Sequence, residues 1–102
     1  MEFIETPTFS KAAKDLIGDE VMRHLQMTLL SYPEMGAVIP GSGGLRKLRW
    51  VGSGKGKRGG LRIIYYWVTA DHKIYLLYVY KKSKQEDLMS QQIKQLKALM
   101  ED

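Results

Sequence analysis

The sequence contains no cysteine, only three prolines and, between residues 45 and 84, a single acidic residue. The lack of cysteine excludes disulfide bonds, thiolate nucleophiles and cysteine-ligated zinc. No run approaches the roughly 18 apolar residues that a membrane-spanning helix requires, and the N-terminal run MEFIETPTF has two acids and no basic, apolar leader. We therefore expect a cytoplasmic protein that makes no membrane contact.

Positive charge is concentrated in the middle of the 102-residue chain. Residues 45–84 hold eleven basic residues and one acidic residue, whereas residues 1–44 hold three and six, and residues 85–102 hold two and four. Such a contiguous basic stretch is typical of polyanion binding, and nucleic acid is the commonest polyanion. The alternative is a solvated basic face that maintains solubility. The length predicts one domain spanning residues 1–102.

Hydrophobic spacing predicts an α+β fold, in which a small, twisted antiparallel sheet of three to four strands packs against two N-terminal helices and is followed by a C-terminal helix. Glycine, proline and aspartate mark the expected ends of the elements. The predicted elements are a short edge strand at Phe3–Glu5, a helix at Ser10–Ile17, a helix capped by Asp19 that ends at Tyr32-Pro33, a connector at Glu34–Gly44, strands at Leu45–Val51, Leu61–Val68 and Ile74–Tyr80, and a helix from about Glu86.

Basic side chains recur on one face of the predicted strands. Lys47 and Arg49 share a face, roughly 7 Å apart, because side chains alternate along a strand. Arg62 shares a face with Tyr66 on the next strand, and further lysines follow near the end of the third strand. If the strands are neighbours, these cations converge around one phosphate, for which arginine offers a two-pronged donor and lysine a movable charge. The alternative is ordinary charge on an exposed sheet face.

The stretch between the first two long strands is rich in glycine and basic residues. Gly54, Gly56 and Gly59 match the spacing of a dinucleotide-binding loop, but a strand follows where that motif requires a helix. A basic hairpin loop that grips phosphates and a solvated mobile tip remain equally open. Neither histidine nor the carboxylates show metal-ligand spacing, so we expect no metal. The residues expected to contact RNA are Arg46, Lys55, Lys57, Arg58, Tyr66, Lys81 and Lys84.

Three runs of this sequence resemble one known family: GSGGLRKLR from residue 41, RIIYY from residue 62 and YKKSKQEDL from residue 80. Together with the two predicted helices they make nearly the whole chain similar to the RelE/HigB toxins of bacterial toxin–antitoxin modules, and in particular to the HigB-like branch. The resemblance implies a ribosome-dependent endoribonuclease. In that family the 2′-hydroxyl of messenger RNA attacks its own adjacent phosphate in the ribosomal A site, and no metal or small-molecule cofactor takes part.

The resemblance also implies roles for four residues. Lys47 and Arg49 match the paired basic residues of the family's first central strand, one of which serves as general base. Arg62 matches the arginine that stabilises charge on phosphorus, and Lys82 lies near a further cation. One position departs from the family, because several relatives have a tyrosine where this sequence has Leu88. The general acid is therefore open, with Lys82 and Lys84 as candidates.

Two other functions remain compatible with the residues. A ParE-like gyrase inhibitor would have the same fold and do no chemistry, and a plain nucleic-acid-binding module would need only stacking and a salt-dependent affinity. For the leading hypothesis, the expected partners are the ribosome, messenger RNA and a cognate antitoxin that carries a helix-turn-helix domain.

Overall fold

A computed structural model describes residues 1–50, 60–85 and 87–100. Across these residues, none of the helices is long and apolar enough to span a membrane. The elements are, in chain order, β1 (Glu2–Glu5), α1 (Pro7–Ala13), α2 (Asp19–Ser31), β2 (Ala37–Val38), β3 (Arg46–Trp50), β4 (Leu61–Val68), β5 (Lys73–Lys81) and α3 (Ser90–Ala98). They confirm the predicted α+β fold and the placement of its helices along the chain.

The sheet has five strands in the order β1-β5-β4-β3-β2. Strands β3, β4 and β5 form the predicted antiparallel meander, while β1 pairs with β5 in parallel. The prediction of three to four strands was one short, because Ala37–Val38 of the expected connector pairs with β3 as a two-residue edge strand. The cation-bearing strand β3 is therefore flanked by a strand on each side.

The first face of the sheet packs against α1 and α2. Phe9 of α1 and Leu25 and Leu29 of α2 are fully buried against it. Helix α1 begins three residues before the predicted Ser10, because the Thr6 hydroxyl accepts a hydrogen bond from the Phe9 N–H at 3.1 Å and a proline follows as the first helical residue. The N-cap of α2 is Gly18 rather than the predicted Asp19.

The second face carries a smaller core, which α3 covers in part. Leu96 of α3 packs there with Leu45, Ile64, Leu77 and Tyr80. Helix α3 begins at Ser90, later than the expected Glu86. Among the described residues, α3 contributes one buried residue, Leu96, to this core.

A β-bulge in β5 sets which side chains reach the second face. Tyr65 lies opposite Leu76, but Ile64 lies opposite Tyr78, so Leu77 is an extra residue on β5. Leu77 and Tyr78 both contribute to the second-face core. Beyond the bulge, Tyr80 lies directly opposite Arg62.

Candidate active site

Three residues form a straight row across the second face, and we call them the cross-strand row. Arg49 of β3 lies opposite Arg62 of β4, which lies opposite Tyr80 of β5. Directly opposed side chains in antiparallel strands have Cβ atoms about 4.5–5.5 Å apart. Arg49 is exposed, whereas Arg62 and Tyr80 are each only 5% exposed. Solvent exposure thus decreases along the row, from the exposed guanidinium of Arg49 to the buried Arg62 and Tyr80.

The two arginines of the row are like charges in direct opposition. Such a pair destabilises a sheet, and burying one of the guanidinium groups adds a desolvation cost. Arg62 Nη1 donates a hydrogen bond to the carbonyl oxygen of Leu61 at 3.2 Å. A bound anion lying between the guanidinium groups would offset their repulsion, so this geometry favours an anion-binding site.

A carboxylate already lies beside these cations. Lys47 Nζ and Asp87 Oδ1 form an ion pair at 2.8 Å, with the lysine side chain 32% exposed and the aspartate side chain 68% exposed. The hydrogen bond and charge of Lys47 lower the pKa of the Asp87 carboxyl, and the charges of Lys82 and Arg62 lower it further. Three cations from three segments therefore act on one negative group.

The Tyr80 hydroxyl is a buried polar group at the β5 end of the row. Its oxygen is shielded from solvent and has no hydrogen-bond partner in the described part of the chain. Burial raises the pKa of Tyr80, the charge of Asp87 raises it further, and the charge of Arg62 acts in the opposite direction. The hydroxyl consequently keeps its proton at neutral pH and can act as a donor.

A groove of about 420 Å³ opens beside the Lys47–Asp87 pair. Its walls are β2 with the following Ile39 and Pro40 on one side, and Leu88 and Ile93 on the other. The walls are mainly apolar, while the charged pair lies among the lining residues. A phosphate bound at the cations would thus have an apolar surface next to it.

Two of the residues expected to contact RNA lie on the other face of the sheet. Arg46 Nη1 donates hydrogen bonds to the carbonyl oxygens of Glu34 at 3.0 Å and Gly36 at 2.7 Å, and its guanidinium lies 5.9 Å from the centre of the Trp67 ring. Lys81 pairs with Leu61, which packs against the α1–α2 side. These two residues are not brought together with the cross-strand row.

The other predicted RNA contacts are distributed differently. Tyr66 is half-buried on the second face, four residues along β4 from Arg62, and packs against its core. Lys84 is exposed in the turn after β5, where its N–H donates to the carbonyl of Lys81 at 3.0 Å. The remaining contacts predicted in the loop, Lys55, Lys57 and Arg58, lie outside the described residues.

Sequence reasoning missed two members of the site. Asp87 is separated from Lys47 by forty residues, and an isolated acid before a helix has no spacing signal that would reveal its partner. Tyr80 lies at the end of the predicted strand Ile74–Tyr80, and strand composition alone does not distinguish it from the other aromatic residues there. The one available signal was its proximity in sequence to Lys81 and Lys82, which carry the expected cations at the end of β5.

Comparison with known proteins shows that the fold of this chain is similar to that of solved structures. No protein-family model matches the chain. A mutant of Escherichia coli toxin RelE in the free state is 16% identical, with a TM-score of 0.59, and the match covers 99% of this chain and 97% of that one. The intact E. coli RelBE toxin–antitoxin complex includes a chain that is also 16% identical, with a TM-score of 0.58, and the match covers 78% of this chain and 94% of that one. The chain therefore has a RelE-like fold.

Proposed function

We propose that this chain is the toxin of a toxin–antitoxin module, of the HigB-like branch, and acts as a ribosome-dependent endoribonuclease on messenger RNA in the A site. The observation that carries the proposal is the direct opposition of Arg49 and Arg62, with Lys47 on the same face. The RelE-like fold supports it, as do the charges of Lys47, Lys82 and Arg62, which act together on the Asp87 carboxylate.

The reaction follows from the placement of these cations. A phosphate of the RNA replaces the Asp87 carboxylate beside Lys47, and the adjacent 2′-hydroxyl attacks the phosphorus. Lys47 gives its ammonium proton to solvent and then, as the neutral amine, accepts the proton of that hydroxyl. Arg49 and Arg62 remain charged throughout and stabilise the negative charge that develops on the phosphate oxygens. The products are a 2′,3′-cyclic phosphate and a free 5′-hydroxyl.

The ribosome supplies the remaining orientation of the substrate. Holding the 2′-oxygen in line with the scissile bond removes an entropic barrier that a small exposed site does not remove alone. Lys82, Lys84 and the loop residues Lys55, Lys57 and Arg58 add positive charge for backbone phosphates. The groove beside Lys47 accommodates a nucleoside next to the cleaved phosphate.

A cognate antitoxin is the proposed protein partner. One of the similar solved structures is a toxin–antitoxin complex, and a basic site with a buried arginine is a suitable target for an acidic protein segment. We propose that the antitoxin carries a helix-turn-helix DNA-binding domain. Co-expression of the antitoxin should abolish growth arrest caused by the toxin.

The decisive experiment removes the exposed cation of the row. Arg49→Ala should reduce cleavage of A-site messenger RNA on purified ribosomes by about 10²-fold or more, because one donor to the developing negative charge is lost. Arg49 is exposed, so its removal should leave the melting temperature within a few degrees of the native value. The measurement is single-turnover cleavage with mapping of 5′ ends and product termini.

The matched control is Lys11→Ala, which removes one positive charge from an exposed position on α1 and should cleave at the native rate. If the native chain yields no cyclic phosphate on ribosomes but blocks plasmid supercoiling by gyrase, the nuclease proposal is wrong. If Arg49→Ala cleaves at the native rate, the cross-strand row is not the active site.

A further inference from the structure

The presence of a buried hydroxyl group at Tyr80 is not explained by a contribution to the stability of the fold. It is shielded from solvent, and in the described part of the chain it has no hydrogen-bond partner. A hydroxyl buried in this way is unfavourable compared with the phenylalanine that would fill the same space. The Tyr80 ring packs with the second-face core and so contributes to stability. The hydroxyl oxygen makes no hydrogen bond that would add to this contribution among the described residues.

The position of Tyr80 within the row is chemically specific. The row crosses three neighbouring strands, with Arg49 on β3, Arg62 in the middle on β4 and Tyr80 on β5. Adjacent strands are about 4.8 Å apart, so the two ends of the row are separated by roughly 10 Å. A phosphate centred over Arg62 therefore has the Lys47 and Arg49 side on one flank and the tyrosine on the other.

Cleavage by a neighbouring hydroxyl proceeds in line, with the attacking and leaving oxygens on opposite sides of phosphorus. A base and an acid for this reaction must accordingly lie on opposite flanks of the phosphate. Lys47 lies on the β3 flank, and Tyr80 is a proton donor that pairs with Arg62 from the β5 flank.

We propose that Tyr80 is the general acid of this reaction, an assignment that rests on the function proposed above. Lys47 first gives its ammonium proton to solvent. The 2′-oxygen then forms a bond to phosphorus while its proton passes to the neutral Lys47 amine. The bond between phosphorus and the 5′-oxygen breaks, and the 5′-oxygen takes the proton of the Tyr80 hydroxyl. The Tyr80 phenolate then takes a proton from solvent, which restores both groups.

Access to the hydroxyl is coupled to binding of the substrate. Asp87 pairs with Lys47 at 2.8 Å, and the neighbouring Leu88 packs against the same core as Tyr80. For the leaving oxygen to reach the hydroxyl, Asp87 and Leu88 must move when a phosphate takes the place of the Asp87 carboxylate.

The test uses Tyr80→Phe and two forms of one messenger RNA on ribosomes. In the first form the A-site codon has the natural 5′-oxygen, and cleavage should be slowed by about 10²-fold or more, as for the loss of a general acid. In the second form sulfur replaces that oxygen. A thiolate leaves without taking a proton, so the native chain and Tyr80→Phe should cleave this RNA at similar rates. The melting temperature of the variant should be unchanged or higher.

Tyr78→Phe is the matched control. Tyr78 lies on the same strand and face, with its ring centroid 6.0 Å from that of Tyr80, but it is opposite Ile64 rather than Arg62. This control should cleave both substrates at the native rate. A native rate for Tyr80→Phe on the oxygen substrate would overturn the assignment, and so would an equal loss on both substrates. Absence of cleavage by the native chain would instead overturn the proposed function, together with the role that depends on it.

Discussion

Tyr65 and Tyr80 are buried on opposite faces of the same sheet, and their hydroxyl groups differ. The Tyr65 hydroxyl accepts a hydrogen bond from the Gly36 N–H at 2.8 Å and donates one to the Pro33 carbonyl at 2.7 Å, which fixes the connector to the sheet. The Tyr80 hydroxyl has no such partner in the part of the chain that the structure describes. A buried hydroxyl without a hydrogen bond costs about 1–3 kcal/mol, so Tyr65 serves the fold, while Tyr80 is better explained by the reaction.

The Lys47–Asp87 pair leads to a prediction about a single titration. In Lys47→Met the pKa of the Asp87 carboxyl should rise toward the ordinary aspartate value, because the largest cause of its lowering is removed. The variant keeps the desolvation that raises this pKa and the charges of Lys82 and Arg62 that lower it. The measurement is a ¹³C NMR titration of the Asp87 carboxyl in the native chain and the variant.

The same pair also makes the stability of the fold depend on pH. Because the pKa of Asp87 is lower in the folded chain, the pair stabilises the fold above the ordinary aspartate pKa, and this contribution is lost as the pH falls through the lowered value. Lys81→Met removes a charge from the other face and should leave the Asp87 titration unchanged. An unchanged titration in Lys47→Met would show that the pair does not form in solution.

At the scale of elements, two glycines in open positions should respond oppositely to serine. A Cβ atom at Gly18 or Gly41 would meet no described atom within 4 Å, but Gly41 has a φ of 72° whereas Gly18, the N-cap of α2, has a φ of −85°. Gly18→Ser should stabilise the fold by about 0.5–1 kcal/mol, since serine caps helices and restricts the unfolded chain. Gly41→Ser should destabilise it by about 1–2 kcal/mol, since left-handed backbone is strained for serine.

Chemical denaturation of both variants measures these free energies of unfolding. Because neither position touches the row, the cleavage rate of folded protein should stay at the native value in both. A loss of stability in Gly18→Ser, or none in Gly41→Ser, would contradict the backbone geometry described for these two positions.

Alternation along the strands explains what the sequence predicts well. It correctly places Lys47, Arg49 and Arg62 on one face. The same alternation assigns Arg46 to the opposite face, as the structure shows, although the residue was expected to bind RNA. Charge alone therefore predicts more RNA contacts than the structure brings together on the second face.

Other elements were not predictable from local patterns. Strand β2 has two residues, and its pairing with β3 depends on a contact across the connector rather than on strand-forming composition. The ion pair of Lys47 with Asp87 depends on how the segment before α3 lies on the sheet. Both features require long-range packing, for which the spacing of residues along the chain contains no signal.

At the scale of the whole molecule, the larger core and the proposed active site lie on opposite faces of the sheet. One face is sealed by α1 and α2, whose buried side chains form the larger core, while the other is only partly covered by α3 and carries the row. The net charge of +5 is therefore less informative than its distribution, because cations close to one another on a single face create a positive potential, which the proposed function uses to attract RNA.

This one-sided charge predicts how RNA affinity depends on salt. For a single-stranded RNA, each phosphate contact contributes about −0.7 to the slope of log affinity against log salt concentration. Arg49→Ala should therefore make the slope about 0.7 shallower, whereas Lys11→Ala should not change it. The measurement is binding of an RNA made uncleavable by a 2′-deoxy sugar, over a series of salt concentrations. Equal slopes for the two variants would mean that RNA does not prefer the second face.

The bulge at Leu77 has a consequence for natural variation in this fold. Ahead of it, Ile74 and Leu76 point toward α1 and α2, and the bulge shifts the alternation so that Tyr80 lies on the other side. A gene that lost the codon for Leu77 would lose the bulge with it, and the strict alternation that results would still carry Tyr80 to the second face. Among homologues that keep the tyrosine, we therefore expect a one-codon gap in β5 to fall at Leu77 and to coincide with a regular, bulge-free strand.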